Sequence, residues 1–254
     1  MYYKYHNIKI YYEKIGNSKN TILILPGWGN TRHTFDNIIN KLKKDNTIYI
    51  IDYPGFGYSP APQKELTIYN YSEMVYSFIE EKNLSNLIII AHSFGGRISS
   101  ILVGKYHLKI KKLILIDVAR IKKINIVLKI KTLYYKFLKL LTNLLPTEKK
   151  YKVRRKLFLK YSSQDYLSLP NNMYNTFKNI INENLYKYYK RIHNNTLIIW
   201  GKNDKDTPVK NAKKLKKYIK KSTIILFNNA GHFSYLDKEK ETINLINNFI
   251  KKED

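Results

Sequence analysis

Leu87-Ile88-Ile89-Ile90-Ala91-His92-Ser93-Phe94-Gly95-Gly96 is the stretch on which the fold turns. Its four large apolar residues are too few for a helix and read as a strand buried on both faces. The run passes directly into a serine flanked at two positions' distance by Ala91 and Gly95, and a helical pattern starts at about Arg97. Strand, small-x-Ser-x-Gly, helix is the pattern that presents a serine on a strained turn, because bulky neighbours would collide with the adjacent backbones. Alanine at the first small position departs from the commoner glycine. An ordinary turn whose serine merely caps the helix would carry similar letters, so the surrounding chain has to decide.

Working outward, short apolar runs recur and each stops at turn residues. Thr21-Ile22-Leu23-Ile24-Leu25 ends at Pro26-Gly27, and Thr47-Ile48-Tyr49-Ile50-Ile51 ends at Asp52. Leu113-Ile114-Leu115-Ile116 ends at Asp117, Leu197-Ile198-Ile199-Trp200 at Gly201, and Thr223-Ile224-Ile225-Leu226-Phe227 at Asn228. Amphipathic stretches separate them, with Thr67 as N-cap of a helix reaching Lys82 and an apolar stripe of Ile243, Leu245, Ile246, Phe249 and Ile250 near the end. The alternation predicts an α/β fold, a mostly parallel sheet with helices on both faces. Residues 2–14 read as an antiparallel edge hairpin turning near His6-Asn7.

Three further loops carry chemistry, each after a strand. In Leu25-Pro26-Gly27-Trp28-Gly29 the glycines free the backbone to face a substrate oxygen, so the N–H groups of Trp28 and Phe94 are the candidate oxyanion donors. In Gly201-Lys202-Asn203-Asp204-Lys205-Asp206-Thr207-Pro208 two carboxylates compete to orient a histidine, with Asp206 the better suited to turn formation before Pro208. In Asn229-Ala230-Gly231-His232-Phe233 a glycine precedes a histidine presented at a strand end. Serine, acid, histidine is the chain order of one triad type, and parallel strands bring all three loops to one edge of the sheet.

With these motifs in place the sequence resembles the α/β-hydrolase superfamily. Asp52-Tyr53-Pro54-Gly55-Phe56-Gly57-Tyr58-Ser59 is similar to a D-x-P-G-x-G-x-S segment of many members, in which the aspartate is structural. The resemblance implies a core formed by residues 1–118 and 195–254 and a helical cap, residues 119–194, inserted after the sixth strand. It implies Ser93 as nucleophile, His232 as base and Asp204 as the acid, acting on an ester, thioester or amide through an acyl-enzyme, with no cofactor or metal. Serine at the elbow argues against the relatives that use an aspartate nucleophile. Pro26-Gly27 replaces the His-Gly that precedes the oxyanion residue in many members; the backbone donor at Trp28 survives that change, while the histidine side chain that often supports the loop is missing.

Composition bounds the rest. The chain has 254 residues, 44% of them hydrophobic, which suits one large domain or one domain with an insertion. It has no cysteine, so no disulfide, thiolate metal site or catalytic thiol can form. The opening Met1-Tyr2-Tyr3-Lys4-Tyr5-His6 lacks the pattern of a signal peptide, and a soluble cytoplasmic protein is the expectation. The net charge of +27 accompanies abundant Lys, Asn, Ile and Tyr and reads as compositional bias; no nucleic-acid-binding motif is present, so no specific nucleic-acid partner is expected.

Between Asp117 and Asn195 the strand rhythm stops. Helical patterns cover residues 121–145, closed by Pro146, then about 148–161 and about 171–183, with Ser162-Ser163-Gln164-Asp165-Tyr166 resembling a helix start. In the first, Lys129, Lys131, Lys136 and Lys139 interleave with Ile130, Leu133, Tyr134, Phe137, Leu138 and Leu141. The favoured expectation is that this helix buries its apolar stripe on the sheet domain and leaves its lysines in water. The other reading is a basic amphipathic helix that touches anionic membrane. On that reading the rival to an enzyme is a non-hydrolytic ligand-binding or membrane-docking protein on the same fold.

Overall fold

The structure is a computed structural model, and it describes residues 1–119, 126–161, 169 and 171–252. An eight-stranded sheet runs through it in the order β1-β2-β4-β3-β5-β6-β7-β8. The strands are β1 (Tyr2–Tyr5), β2 (Ile8–Ile15), β3 (Thr21–Leu25), β4 (Thr47–Ile51), β5 (Leu87–His92), β6 (Lys112–Ile116), β7 (Thr196–Gly201) and β8 (Ser222–Phe227). β1 and β2 form the expected edge hairpin, with His6 at φ +50° in its turn, and β2 pairs antiparallel to β4. Every other pairing is parallel.

The apolar runs are continuous because each central strand faces a helical layer on both sides. Leu23 and Leu25, Ile89 and Ala91, Leu113 and Leu115, and Ile198 and Trp200 point into one core cluster. Their alternates Ile22 and Ile24, Ile88 and Ile90, Ile114 and Ile116, and Leu197 and Ile199 point into the other. The second layer is covered by α1 (Asp36–Leu42) through Ile38, Ile39 and Leu42. The first is covered by α2 (Ile68–Glu81) and α3 (Phe94–Gly104). Thr67 caps α2 as expected, its Oγ1 accepting from Asn70 N–H, and its own N–H donates reciprocally to Asn70 Oδ1.

Between β6 and β7 the chain forms α4 (Ile126–Leu141), α5 (Thr147–Tyr161), α6 (Tyr174–Asn182) and the short α7 (Tyr186–Tyr189). Residues 121–125 of the first expected helix and the helix start expected at Ser162–Tyr166 lie outside the described residues. The later part of the segment is tied to the core. The buried Arg97 guanidinium of α3 donates to the carbonyls of Ile180 and Glu183, each at 2.8 Å, the Tyr189 hydroxyl donates to Gly96 O, and Leu66 N–H donates to Thr176 Oγ1.

The expectation for α4 is overturned. Its apolar stripe does not rest on the sheet domain: Ile130, Leu133, Phe137 and Leu140 are all more than half exposed. The less exposed positions Tyr135, Leu138 and Thr142 lie on a different side, and there Arg154 of α5 donates to Thr142 Oγ1 and Asn143 Oδ1. The helix was expected to use its strongest apolar face inward, but α5 packs on its weaker one.

α8 (Lys210–Tyr218) joins β7 to β8, and α9 (Ser234–Asp237) and α10 (Glu239–Lys251) follow β8, with Ile246 of α10 fully buried in the second layer. Because β3, β5, β6, β7 and β8 run in register and in parallel, their C-terminal ends open on one edge. Leu25 sits opposite Ala91, His92 opposite Ile116, and Gly201 opposite Phe227.

Candidate active site

Ser93 leaves β5 at φ +46°, ψ −107°, a conformation that non-glycine residues rarely hold. The turn is clamped on both sides: Ser93 N–H donates to Ile116 O of β6, and Ala119 N–H donates to Ser93 O, both at 3.0 Å. Helix α3 begins at Phe94, three residues earlier than the sequence pattern suggested, so Gly95 and Gly96 are helical. A Cβ on Gly95 would lie 2.0 Å from Leu25 O, and its N–H donates to Pro26 O at 3.0 Å. The small residue thus lets the elbow press directly on the end of β3. Ala91 is fully buried, and its methyl group is accommodated.

His232 Nε2 lies 2.9 Å from Ser93 Oγ, and His232 Nδ1 lies 2.9 Å from Asp204 Oδ2. A carboxylate only accepts, so Nδ1 carries a proton and donates to Asp204, leaving Nε2 to accept from the serine hydroxyl. Between the two competing carboxylates, the structure brings Asp204 to the histidine. Its Oδ1 also accepts from the N–H groups of Asp206 and Thr207, and Thr207 Oγ1 donates to Oδ2 at 2.5 Å. Asp206 instead sits in the turn that these bonds close. Loops from β7 and β8 meet closely here: a Cβ on Gly201 would fall 2.2 Å from Gly231 O.

Burial works against charge at both members of the pair, and their mutual bond outweighs it. Asp204 is held below the usual carboxylate value by bonds from His232 and Thr207. His232 is raised above the ordinary histidine value by the Asp204 hydrogen bond and by the charges of Asp204, Asp117 and Asp206. Asp204, Asp206 and His232 are also close enough to suggest a cation site. The four donors on Asp204 already take up its carboxylate lone pairs, which leaves the cluster better suited to holding an imidazole than a metal.

The two candidate oxyanion residues are neighbours. The Trp28 ring packs edge-on to Phe94 with centroids 5.2 Å apart. Phe94 N–H is the first of α3 and has no carbonyl partner within its own helix. Over Trp28 and Phe56 sits a small apolar cluster of Leu169, Met173 and Phe177. Asp52, read as structural, does tie a turn, with its carboxylate accepting from Tyr58 N–H and its carbonyl from Ser59 Oγ.

Two buried groups were not singled out in the sequence. Asp117, at the end of β6, accepts from Gly201 N–H and Ser234 N–H and so ties the acid loop to the histidine loop; burial pushes its pKa up to about 7. His92, next to the serine, has Nε2 2.9 Å from His232 O, and burial lowers its pKa to about 3, so it stays neutral. Their positions at strand C-terminal ends, beside recognised motif residues, were the available signal.

Residues 20–239 match the α/β hydrolase fold family. The chain belongs to that family. Among curated relatives, a Mycoplasma genitalium protein named as an esterase/lipase is 28% identical over 205 residues, covering 76% of this chain and 74% of its own. The AB hydrolase superfamily protein YisY of Bacillus subtilis is 28% identical over 255 residues, covering 94% and 93%. Among solved structures, the α/β hydrolase MGS-M2 from a Medee basin deep-sea metagenome library superposes with a TM-score of 0.78 at 21% identity, covering 100% of this chain and 98% of that one. Membership makes this chain a hydrolase of the family, with the reaction left open.

Proposed function

We propose that the chain is a serine hydrolase that cleaves a carboxylic ester, thioester or amide through Ser93, His232 and Asp204. The observation that carries this is the unbroken relay of two 2.9 Å hydrogen bonds ending on a serine at positive φ. Ser93 Oγ attacks the acyl carbonyl carbon as its proton passes to His232 Nε2. The oxyanion that forms is met by the N–H groups of Trp28 and Phe94. His232 returns the proton to the leaving group, whose bond to the acyl carbon breaks, and the acyl group remains on Ser93. A water then repeats the sequence: its proton goes to His232, its oxygen to the acyl carbon, and the serine leaves with the proton. Asp204 keeps the imidazole in the tautomer that each step requires.

Residues 119–194 are read as the cap over a core of residues 1–118 and 195–254. Leu169, Met173 and Phe177 support this, since they set apolar side chains against Trp28, a proposed oxyanion residue. An acyl substrate with an apolar chain suits that lining. Among the described residues no helix is long and apolar enough to cross a membrane.

A fluorophosphonate probe tests the reading without a guess at the natural substrate. Stoichiometric adduct formation at Ser93, located by peptide mass spectrometry and lost in His232→Ala, is the expected result. Absence of labelling in well-folded protein, with or without detergent, would remove the assignment.

A further inference from the structure

Helix α4 is 16 residues, about 24 Å at the standard rise per residue. Ile130, Leu133, Phe137, Leu140 and Leu141 recur at three- and four-residue intervals and share one face, which points away from the side where α5 packs. Leu144, just beyond the helix, extends the stripe and is 84% exposed. Single exposed leucines are ordinary, but a contiguous stripe on a helix marks a surface that something covers.

The charge around the stripe says what kind of surface that is. Residues 126–161 hold eleven Lys or Arg against one acid, Glu148. Lys136, Lys139, Lys149, Lys152, Arg155 and Lys156 form no ion pair among the described residues. A second copy of this chain would bring the same dense positive charge against itself. A nucleic acid would meet the lysines but offer nothing to a row of aliphatic side chains. An anionic lipid surface satisfies both, with phosphates for the lysines and acyl chains for the leucines and phenylalanine.

We propose that the α4–α5 hairpin is a docking surface for anionic lipid bilayers, with α4 lying in the interface and its Ile130–Leu144 stripe turned into the acyl region. The helix lies on the bilayer rather than spanning it, and docking does not depend on the proposed triad, whose residues follow β5, β7 and β8 on loops outside the α4–α5 hairpin.

The test is co-sedimentation of the full chain with vesicles of equal parts phosphatidylglycerol and phosphatidylcholine, set against phosphatidylcholine alone. Binding is expected to the anionic vesicles at low salt, at least about tenfold stronger than to neutral ones and weakened by added salt. Leu133→Asp with Phe137→Asp should cut it about tenfold or more, and Lys136→Glu with Lys152→Glu should cut it as well. Circular dichroism of each variant shows that the fold persists whether or not Ser93 is labelled, and fluorophosphonate labelling is carried out without vesicles, so failure of the serine assignment and failure of docking are read separately. No binding to anionic vesicles overturns the proposal, as does binding that the Leu133 and Phe137 changes leave intact, which would mean attraction by charge alone. Retention of nucleic acid without retention of vesicles, or a concentration-dependent dimer that the same two changes dissolve without any vesicle binding, would assign the face to a different occupant and overturn it equally.

Discussion

Residues 171–192 and residues 126–161 both lie between β6 and β7, yet they are held in opposite ways. The former are anchored by atoms of the core: Arg97 bonds two of their carbonyls, Tyr189 reaches Gly96 O, and Met173 is completely enclosed. The latter are anchored mainly to one another, through Arg154 and the turn after α4. The contrast teaches that a helical pattern specifies a helix and its apolar face but not what meets that face. An arginine buried in α3 and aimed at a carbonyl cannot move without leaving a charge stranded in the interior. Leu133 on α4 has no such partner among the described residues.

The largest effect belongs at the anchored edge. Ser93→Ala should lower turnover of an activated ester by roughly 10⁴–10⁶-fold, the scale found when a triad member is removed. Thermal unfolding should be nearly unchanged or slightly raised, because the residue is held at φ +46° by its neighbours and, among the described residues, the hydroxyl bonds His232 alone. Turnover retained in a contaminant-free preparation would move the chemistry away from this edge altogether.

Next comes the core beneath it. Leu115, near the C-terminal end of β6, is wholly buried between the elbow strand and β7. Leu115→Ala should cost about 2–5 kcal/mol in denaturant unfolding, through lost transfer energy and a residual cavity. A cost near zero would mean that the sheet relaxes around the site far more than its in-register pairing suggests.

The pH profile probes the same edge more gently. His232 must be neutral to accept the serine proton, so kcat/KM should fall about tenfold per pH unit below its pKa. That pKa is raised, so the fall should begin above pH 6.5, the ordinary histidine value. Asp204, Asp117 and Asp206 all push in that direction, while neutral His92 adds no charge. Asp117, at about 7, gains its own proton over the same range and weakens the push as pH falls, which should broaden the transition. A profile flat between pH 5 and 8, with chemistry rate-limiting, would speak against His232 as base.

What was legible in the sequence follows the same divide. The central strands could be read because each is buried on two faces and so is nearly uninterrupted by polar residues; their common edge followed from the parallel alternation, while their order within the sheet was not legible. The proposed triad could be picked out because Ser93, Asp204 and His232 each follow such a strand, in loops shaped by glycine. Asp204 and Asp206 could not be separated by composition, since the choice rests on backbone N–H groups at Asp206 and Thr207 that fold around one carboxylate. Helix α1 and helix α8 escaped notice for a related reason: each is short, and its few buried residues, such as Ile38 and Leu215, make too brief a period to stand out. His92 and Asp117 were hidden because their importance lies in bonds to loops more than 80 residues away. For α4 the pattern was read correctly and its destination was not, because amphipathicity is the same whether a helix faces a sheet, a bilayer or a partner.

The smallest effect is the sharpest test of that last point. Leu133 and Leu115 are the same residue type, one 64% exposed on α4 and the other fully buried in β6. Leu133→Ala should change unfolding stability by less than about 0.5 kcal/mol, since an exposed side chain has little apolar area to lose and alanine is the better helix former. The two substitutions should therefore differ by several-fold in cost despite deleting the same atoms. If Leu133→Ala instead costs about as much as Leu115→Ala in dilute protein without lipid, then the stripe on α4 is already covered in solution by the rest of the chain. The division between an anchored half and a free half would then be lost, and with it the reason to look for a bilayer on that face.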